Sequence, residues 1–307
     1  MAASLPPLLH DRDFTPEIGA PMPVAEGITR ITAPNSGPYT FTGTNSFLIG
    51  KDEIAVLDPG PDSEPHLAAL LGAIGDRRVA AILLTHTHRD HSDLARKLAA
   101  ATQAPIWSGG PHRLSRPRRS FEFNPTRRDS DFTLVPDRQL VDGERVNVGG
   151  VSLEVIATPG HAANHFAFGL VGTPHLLSGD HVMGWSTTLV AVPDGSMCDY
   201  LKSLDKVEGL PYRVYHPGHG GPIAAGPDYA LALKAHREGR NAQILAAVAA
   251  GARRVSALRR AIYPQLKGPL AIAAEMTIRA HLDYLDQLGR IHVRHDLFGL
   301  VITPAQS

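Results

Sequence analysis

The chain has a single cysteine, Cys198, among its 307 residues. An internal disulfide framework is therefore excluded, which fits a reducing compartment. Standing alone, Cys198 reads as a small packed or surface residue rather than a nucleophile. An excess of either charge is also lacking: 30 Lys and Arg balance 30 Asp and Glu. Net charge thus gives no pointer to nucleic acid, and any basic surface has to be local. No apolar run approaches the roughly 18–20 residues of a membrane span. The opening "MAASLPPLLHDRDF" has no positive segment ahead of an apolar one, so a signal peptide is not expected. The expectation is a soluble, cytoplasmic protein with no membrane partner. Its length suits one large domain, or one with a small appendage.

What the chain does have is histidine, 16 of them, several standing just after strand-like runs. The run Val79–Thr85, "VAAILLT", is continuously apolar, as in a strand buried on both faces. Directly after it come His86, His88, Asp90 and His91, all within "THTHRDH". In an extended loop His86 and His88 share one side. Asp90 and His91 can turn elsewhere, so one loop could feed two metal positions. Three later strand-to-loop junctions each add a candidate: His161 in "TPGHAANH", Asp180 in "LLSGDHVMG" and His219 in "YHPGHGGP". Imidazole and carboxylate are the usual nitrogen and oxygen ligands of zinc and related ions. A carboxylate such as Asp180 can bridge two ions. His10, His66, His112, His236 and His292 read as ordinary surface or core histidines.

The rest of the pattern predicts the scaffold. Residues 1–25 are proline-rich and aperiodic, a loose leader. "NSFLIG" (Asn45–Gly50) and "EIAVLD" (Glu53–Asp58) read as paired strands. A helix capped by Ser63 follows, ending before Gly75. A second helix spans Ser92–Thr102, and a third Met197–Val207. Strands are expected at "FTLV", "ERVNV", "VSLEVIAT", "HFAFGLV" and "HLLSGD". From about Gly226 the texture turns helical: Pro227–Ala250, Ser256–Tyr263 and Leu270–Leu288, then a hairpin in "GRIHVRHDLFGLVIT". Three helices followed by a two-stranded wing make a winged-helix pattern. The expected division is 1–225 for the catalytic domain and 226–307 for a helical, winged-helix domain.

"THTHRDH" together with His161, Asp180 and His219 resembles the metallo-β-lactamase superfamily signature at all seven positions. The resemblance implies an α+β fold, a four-layer αβ/βα sandwich with the metals at one edge. It implies that His86, His88 and His161 hold one ion. Asp90, His91 and His219 would hold a second, with Asp180 bridging. Asp58 in "VLDPGP" matches the aspartate that steadies the ligand loop in that family. "GTNSFLIG", "PGHG" and "AHREGRNAQIL" with the helical tail resemble one branch, β-lactamase-like proteins with a C-terminal winged helix. That branch includes a mitochondrial single-strand endoribonuclease. Ala163 and Asn164 depart from its more acidic pair.

The implied cofactors are two divalent ions, with zinc expected. The implied activity is metal-dependent hydrolysis, of RNA phosphodiesters or, alternatively, of a small ester or thioester as in glyoxalase II-like enzymes. Asp180, where true β-lactamases place cysteine, argues against lactam cleavage. A mononuclear-iron persulfide dioxygenase and a non-catalytic nucleic-acid-binding scaffold stay as outside readings. Asp90 is expected to orient the attacking water, and His165 to donate a proton to the leaving group. The insertion Pro111–Asp131 is arginine-rich, with Phe121 and Phe123 interleaved. Arg118, Arg119, Arg127 and Arg128 read either as a phosphate-gripping lid over single-stranded RNA or as a solvated loop. Arg279 is the single base on the expected recognition helix, poor equipment for a major groove. The tail therefore reads as a packing or partner module, and homodimer association is allowed.

Overall fold

Two sheets face each other across a shared apolar core. The computed structural model describes residues 8–120, 122–296 and 299–305. The first seven residues of the expected leader, Phe121, and Leu297 and Phe298 of the expected hairpin lie outside the described residues. One sheet runs, in spatial order, β1 (Met22–Ala25), β2 (Ile28–Thr32), β3 (Asn45–Gly50), β4 (Glu53–Leu57), β5 (Arg78–Leu83), β6 (Ile106–Ser108) and β7 (Arg138–Gln139). The other contains β8 (Arg145–Val148), β9 (Val151–Ala157), β10 (Phe166–Leu170), β11 (His175–Gly179) and β12 (Val214–Pro217), with β12 and β8 at its edges. The helices are α1 (Glu64–Ile74), α2 (Arg89–Ser92), α3 (Ala95–Thr102), α4 (Met197–Glu208), α5 (Gly226–Ala249), α6 (Val255–Ile262) and α7 (Gly268–Gln287). A hairpin of β13 (Ile291–Asp296) and β14 (Gly299–Pro304) ends the fold.

Side-chain alternation builds the layers. Phe47, Ile49, Ala55, Leu57, Ala81 and Leu83 point between the sheets, where they meet Leu153, Val155, Phe166, Phe168 and Leu177. Their neighbours Leu48, Ile54, Val56 and Ile82 point the other way, onto Leu70 and Ile74 of α1 and Leu98 of α3. On the far sheet Ile156, Ala167 and Leu176 turn outward onto Tyr200, Leu201 and Leu204 of α4. The strands are thus apolar on both faces because each face is covered. The result is the four-layer α+β sandwich.

Three local expectations change. The expected loose leader ends in a strand, β1, paired antiparallel with β2. "FTLV" is not a strand but a turn: Asp131 Oδ1 accepts from the backbone N–H of Thr133 and Leu134 and from the Thr133 hydroxyl. A side-chain carboxylate has taken the hydrogen bonds a strand partner would have used. The helix expected from Ser92 begins earlier, as α2, because His88 O accepts from both His91 N and Ser92 N at 3.0 Å. That turn carries Asp90 and His91 into helical geometry, with the His91 ring 4.3 Å from that of His86 and Asp90 beside His219.

Core membership switches within α5. Ala230 and Leu233 pack in the α4 cluster. Ile244 and Val248 join Val255, Leu258, Ile278, Leu282, Ile291 and Ile302 in a separate core. Among the described residues no helix is long and apolar enough to cross a membrane.

Candidate metal centre

All seven ligand candidates meet at one edge of the sandwich. His86 and His88 follow β5, Asp90 and His91 ride on α2, and His161, Asp180 and His219 follow β9, β11 and β12. His88 Nδ1 lies 2.9 Å from His86 Nε2 and 2.8 Å from His161 Nε2. A second cluster joins Asp90, His91 and His219. There Asp90 Oδ2 is 3.2 Å from His219 Nε2, which is 3.3 Å from His91 Nε2. Asp180 spans the two: Oδ1 is 3.4 Å from His91 Nε2, and Oδ2 is 3.6 Å from His161 Nε2.

The outward nitrogen of every ring is already engaged, which fixes the proton there. His91 Nδ1 faces Asp58 Oδ2 at 2.9 Å, and His88 Nε2 faces Asp194 Oδ2 at 2.9 Å. His161 Nδ1 donates to Leu189 O, and His219 Nδ1 to Gly43 O. His86 Nδ1 lies 2.9 Å from Thr85 Oγ1, whose hydroxyl reaches Asp58 Oδ2 at 2.7 Å. Five imidazole lone pairs and two carboxylates therefore converge with few protons among them. The arrangement fits a divalent cation. Tetrahedral zinc with bonds of about 2.1 Å sets its donors roughly 3.4 Å apart, close to the 3.2–3.5 Å spacings among Asp90, His91, His219 and Asp180. Asp180 Oδ1 is buried without a hydrogen-bond partner. At Gly218 a Cβ would stand 2.5 Å from that oxygen and 2.7 Å from His91 Cε1, so only glycine leaves the cradle open.

The electrostatics agree. Burial pulls His219 down, but the Asp180 and Asp90 carboxylates outweigh it and lift the imidazole to about 9. His91 is likewise lifted, against burial, by Asp90 and Asp180. Burial, then the neighbouring His88, holds His161 down to about 4.

Asp58 sits at the end of β4 with φ 49°, a conformation rare outside glycine. Its Oδ1 accepts from Thr85 N at 2.8 Å, so one carboxylate orients both His86 and His91. Two partners escaped sequence reasoning. Asp194 accepts from Thr126 Oγ1 as well as bonding His88, and its other oxygen lies 2.8 Å from His112 Nε2. His112 is therefore part of this network rather than an ordinary core histidine. Asn45 donates to Pro217 O and Gly220 O, and its N–H to Gly218 O, pinning the His219 loop. The signal for it was Asn45 itself, a polar residue opening β3.

His165 stands behind Asp180. Its Nε2 accepts from the Asp180 N–H at 3.1 Å, and its Nδ1 faces Thr158 Oγ1 at 2.7 Å. With both nitrogens used and the ring buried, it holds the Asp180 backbone and does not line the cavity. The insertion arginines divide. Arg118 donates to Glu122 O, and Arg119 pairs with Asp283 and Asp286 of α7. Those two grip the protein itself, whereas Arg127 and Arg128 are exposed.

Above the metal ligands opens a cavity of about 620 Å³. Its floor holds His88, Asp90, His161, Asp180 and His219, and Met183, Trp185 and Leu189 form one wall. The opposite wall is the C-terminal region: Tyr263, Leu266, Leu270, Ala273, Ala274 and Met276. The tail is therefore part of the site, not only a packing module.

A family model described as the metallo-beta-lactamase superfamily matches residues 39–219, a span that contains every one of the seven ligands. The chain belongs to the metallo-β-lactamase superfamily. It is similar to a "Beta-lactamase-like protein 2 homolog" of Caenorhabditis elegans, 30% identical over 205 residues, 64% of this chain and 62% of that protein. It is also similar to an "Atrochrysone carboxyl ACP thioesterase" of Aspergillus fumigatus, 29% identical over 204 residues, 64% of this chain and 56% of that one. The chain thus spans less than two thirds of the length of these two curated relatives. A crystal structure of a beta-lactamase domain protein from Burkholderia ambifaria superposes with a TM-score of 0.79 at 22% identity. It covers 95% of this chain and 96% of its own, so the likeness in fold extends through the C-terminal helices.

Proposed function

We propose that this superfamily member is a dizinc hydrolase of a small ester or thioester with an apolar acyl group. One observation carries the reading: Asp180 spans the two ligand clusters at the floor of a cavity whose walls are chiefly apolar. The second cluster, Asp90 with His91 and His219, favours two ions over the mononuclear iron of a dioxygenase. Divalent ions held there lower the pKa of water and offset the negative charge that builds on a substrate oxygen.

The chain's own residues do the rest. Met183, Leu189 and Ala274 take the acyl chain and exclude water from it. Burial works to raise the Asp90 carboxyl, but His91 and His219 outweigh it and keep it ionised. Asp90 lines the cavity, so it accepts a hydrogen bond from the attacking water and aims the oxygen lone pair at the acyl carbon. The carbon–oxygen bond forms, the carbon–sulfur bond breaks with the sulfur keeping the electron pair, and the water's two protons pass to solvent, leaving a carboxylate and a thiolate. A thiolate leaves readily because its conjugate thiol has a pKa of only about 8.5. That suits a site where His165 is not available as a donor. The name of the fungal thioesterase relative supports the same class.

RNA is the second reading. Arg127 and Arg128 stand exposed on the insertion, beside Thr126 and Asp129, which line the cavity. The zinc-loaded protein should be assayed on p-nitrophenyl butyrate, an acyl thioester, bis-p-nitrophenyl phosphate and single-stranded RNA. Turnover of the ester and thioester above the phosphodiesters is expected. Cleavage of RNA alone would replace this reading with the second one.

A further inference from the structure

Arg237, on α5, lines the same cavity as the metal ligands yet is only 2% exposed. Its Nη2 donates to Thr188 O, and its guanidinium lies 5.5 Å from the Tyr200 ring centroid. It has no ion pair among the described residues, and its Nε is buried without an acceptor. Arg240, one turn on, lies over the Tyr263 ring at 4.1 Å and bonds Gln243, again with no carboxylate. His236 and His281 feel both guanidinium charges. Burial first, and those charges second, hold His236 down to about 4 and His281 well below its usual value. From α5 the cavity thus receives the Arg237 guanidinium, with that of Arg240 one turn further along the helix and neutral rings beside both. Burying a cation without a counter-charge is costly, and proteins do so where a ligand supplies that charge.

The position is also informative. Thr188 joins Arg237 to the metal centre, because its hydroxyl donates to Asp180 O at 2.9 Å. The next residue's carbonyl, Leu189 O, holds His161. A substrate with its reacting carbonyl at the metal ligands has its far end within the same cavity as the guanidinium.

We propose that Arg237 is an anion-binding element of this cavity, and that the substrate carries a carboxylate or phosphate at the end away from the scissile bond. Guanidinium matches both groups in geometry and charge. The proposal rests on the acyl-hydrolase reading above, and it deepens that reading by naming a polar end group.

The test compares the p-nitrophenyl monoester of adipic acid with p-nitrophenyl hexanoate, which has the same chain length and no charge. The native protein should favour the anionic ester by about tenfold in kcat/KM, as one charge-assisted contact would give. Arg237→Met should abolish that preference, and Arg237→Lys should keep only part of it. Zinc content and thermal midpoint are measured on each variant. In parallel, adipate and inorganic phosphate are titrated into the zinc-loaded protein by calorimetry. The anion that loses about tenfold in affinity with Arg237→Met is the group served. Should Arg237→Met not fold, the Lys variant carries both measurements. No preference in the native protein, or a preference and affinities unchanged in the folded variants, overturns the proposal. If neither ester is hydrolysed the calorimetry still decides, and only the hydrolase reading falls.

Discussion

His88 Nε2 lies 2.9 Å from Asp194 Oδ2 across 106 residues of chain. This contact sets the tautomer of His88, so that Nδ1 presents its lone pair to His86 and His161. Asp194→Ala should weaken metal binding by about 10–100-fold, the usual effect of losing the carboxylate behind a histidine ligand. Competition against a chelating dye reads this directly. Asp194→Asn, which keeps an acceptor oxygen, should fall between the two. Unchanged affinity in the Ala variant would mean that Asp194 is only part of the core.

The native protein purified without chelators should carry close to two zinc ions per chain by elemental analysis. Asp180→Asn should retain roughly one, with an unchanged circular dichroism spectrum, since an amide bridges two cations poorly. Hydrolysis should fall by about 100-fold or more. Two ions and full turnover in this variant would refute Asp180 as the bridge.

Three buried histidines outside the ligand set make stability pH-dependent. Burial holds His66 and His216 down to about 4, and His181 to about 3. The unfolded chain takes up these protons from about pH 6.5 downward, while the folded chain resists them until near pH 4. Stability should therefore be full above about pH 6.5 and fall toward pH 4, by roughly 1.4 kcal/mol per pH unit per histidine at the steepest. Urea midpoints at each pH measure it. His66→Gln should reduce the slope, and an identical slope would remove His66 from the account.

The cavity wall formed by α7 can be tested by filling it. Ala273→Trp places an indole where the acyl chain is expected, so KM for p-nitrophenyl butyrate should rise about tenfold. Zinc content should not change, because Ala273 belongs to none of the ligand clusters among the described residues. An unaltered KM would mean that the substrate does not use the C-terminal wall.

What the sequence by itself determined was the local part. Apolar strands, each running into a ligand-bearing loop, were legible because alternation and strand-end spacing are properties of short windows. "THTHRDH" placed His86, His88, Asp90 and His91 together after β5 for the same reason, and Ser63 announced the start of α1. Even there, the competing side chain of Asp131 turned "FTLV" into a loop, since propensity does not reveal where a carboxylate points. What only the tertiary structure decided lies between distant segments. Asp194 behind His88, Asn45 on the His219 loop, and α7 over the metal ligands pair residues that no short window contains. The same holds for Arg119, whose charge looked free for phosphate and is neutralised by Asp283 from another helix. His165 looked poised for proton transfer until folding spent both its nitrogens on Thr158 and the Asp180 backbone. A side chain's chemistry depends on which hydrogen bonds and charges remain to it, and those are allotted when the layers close.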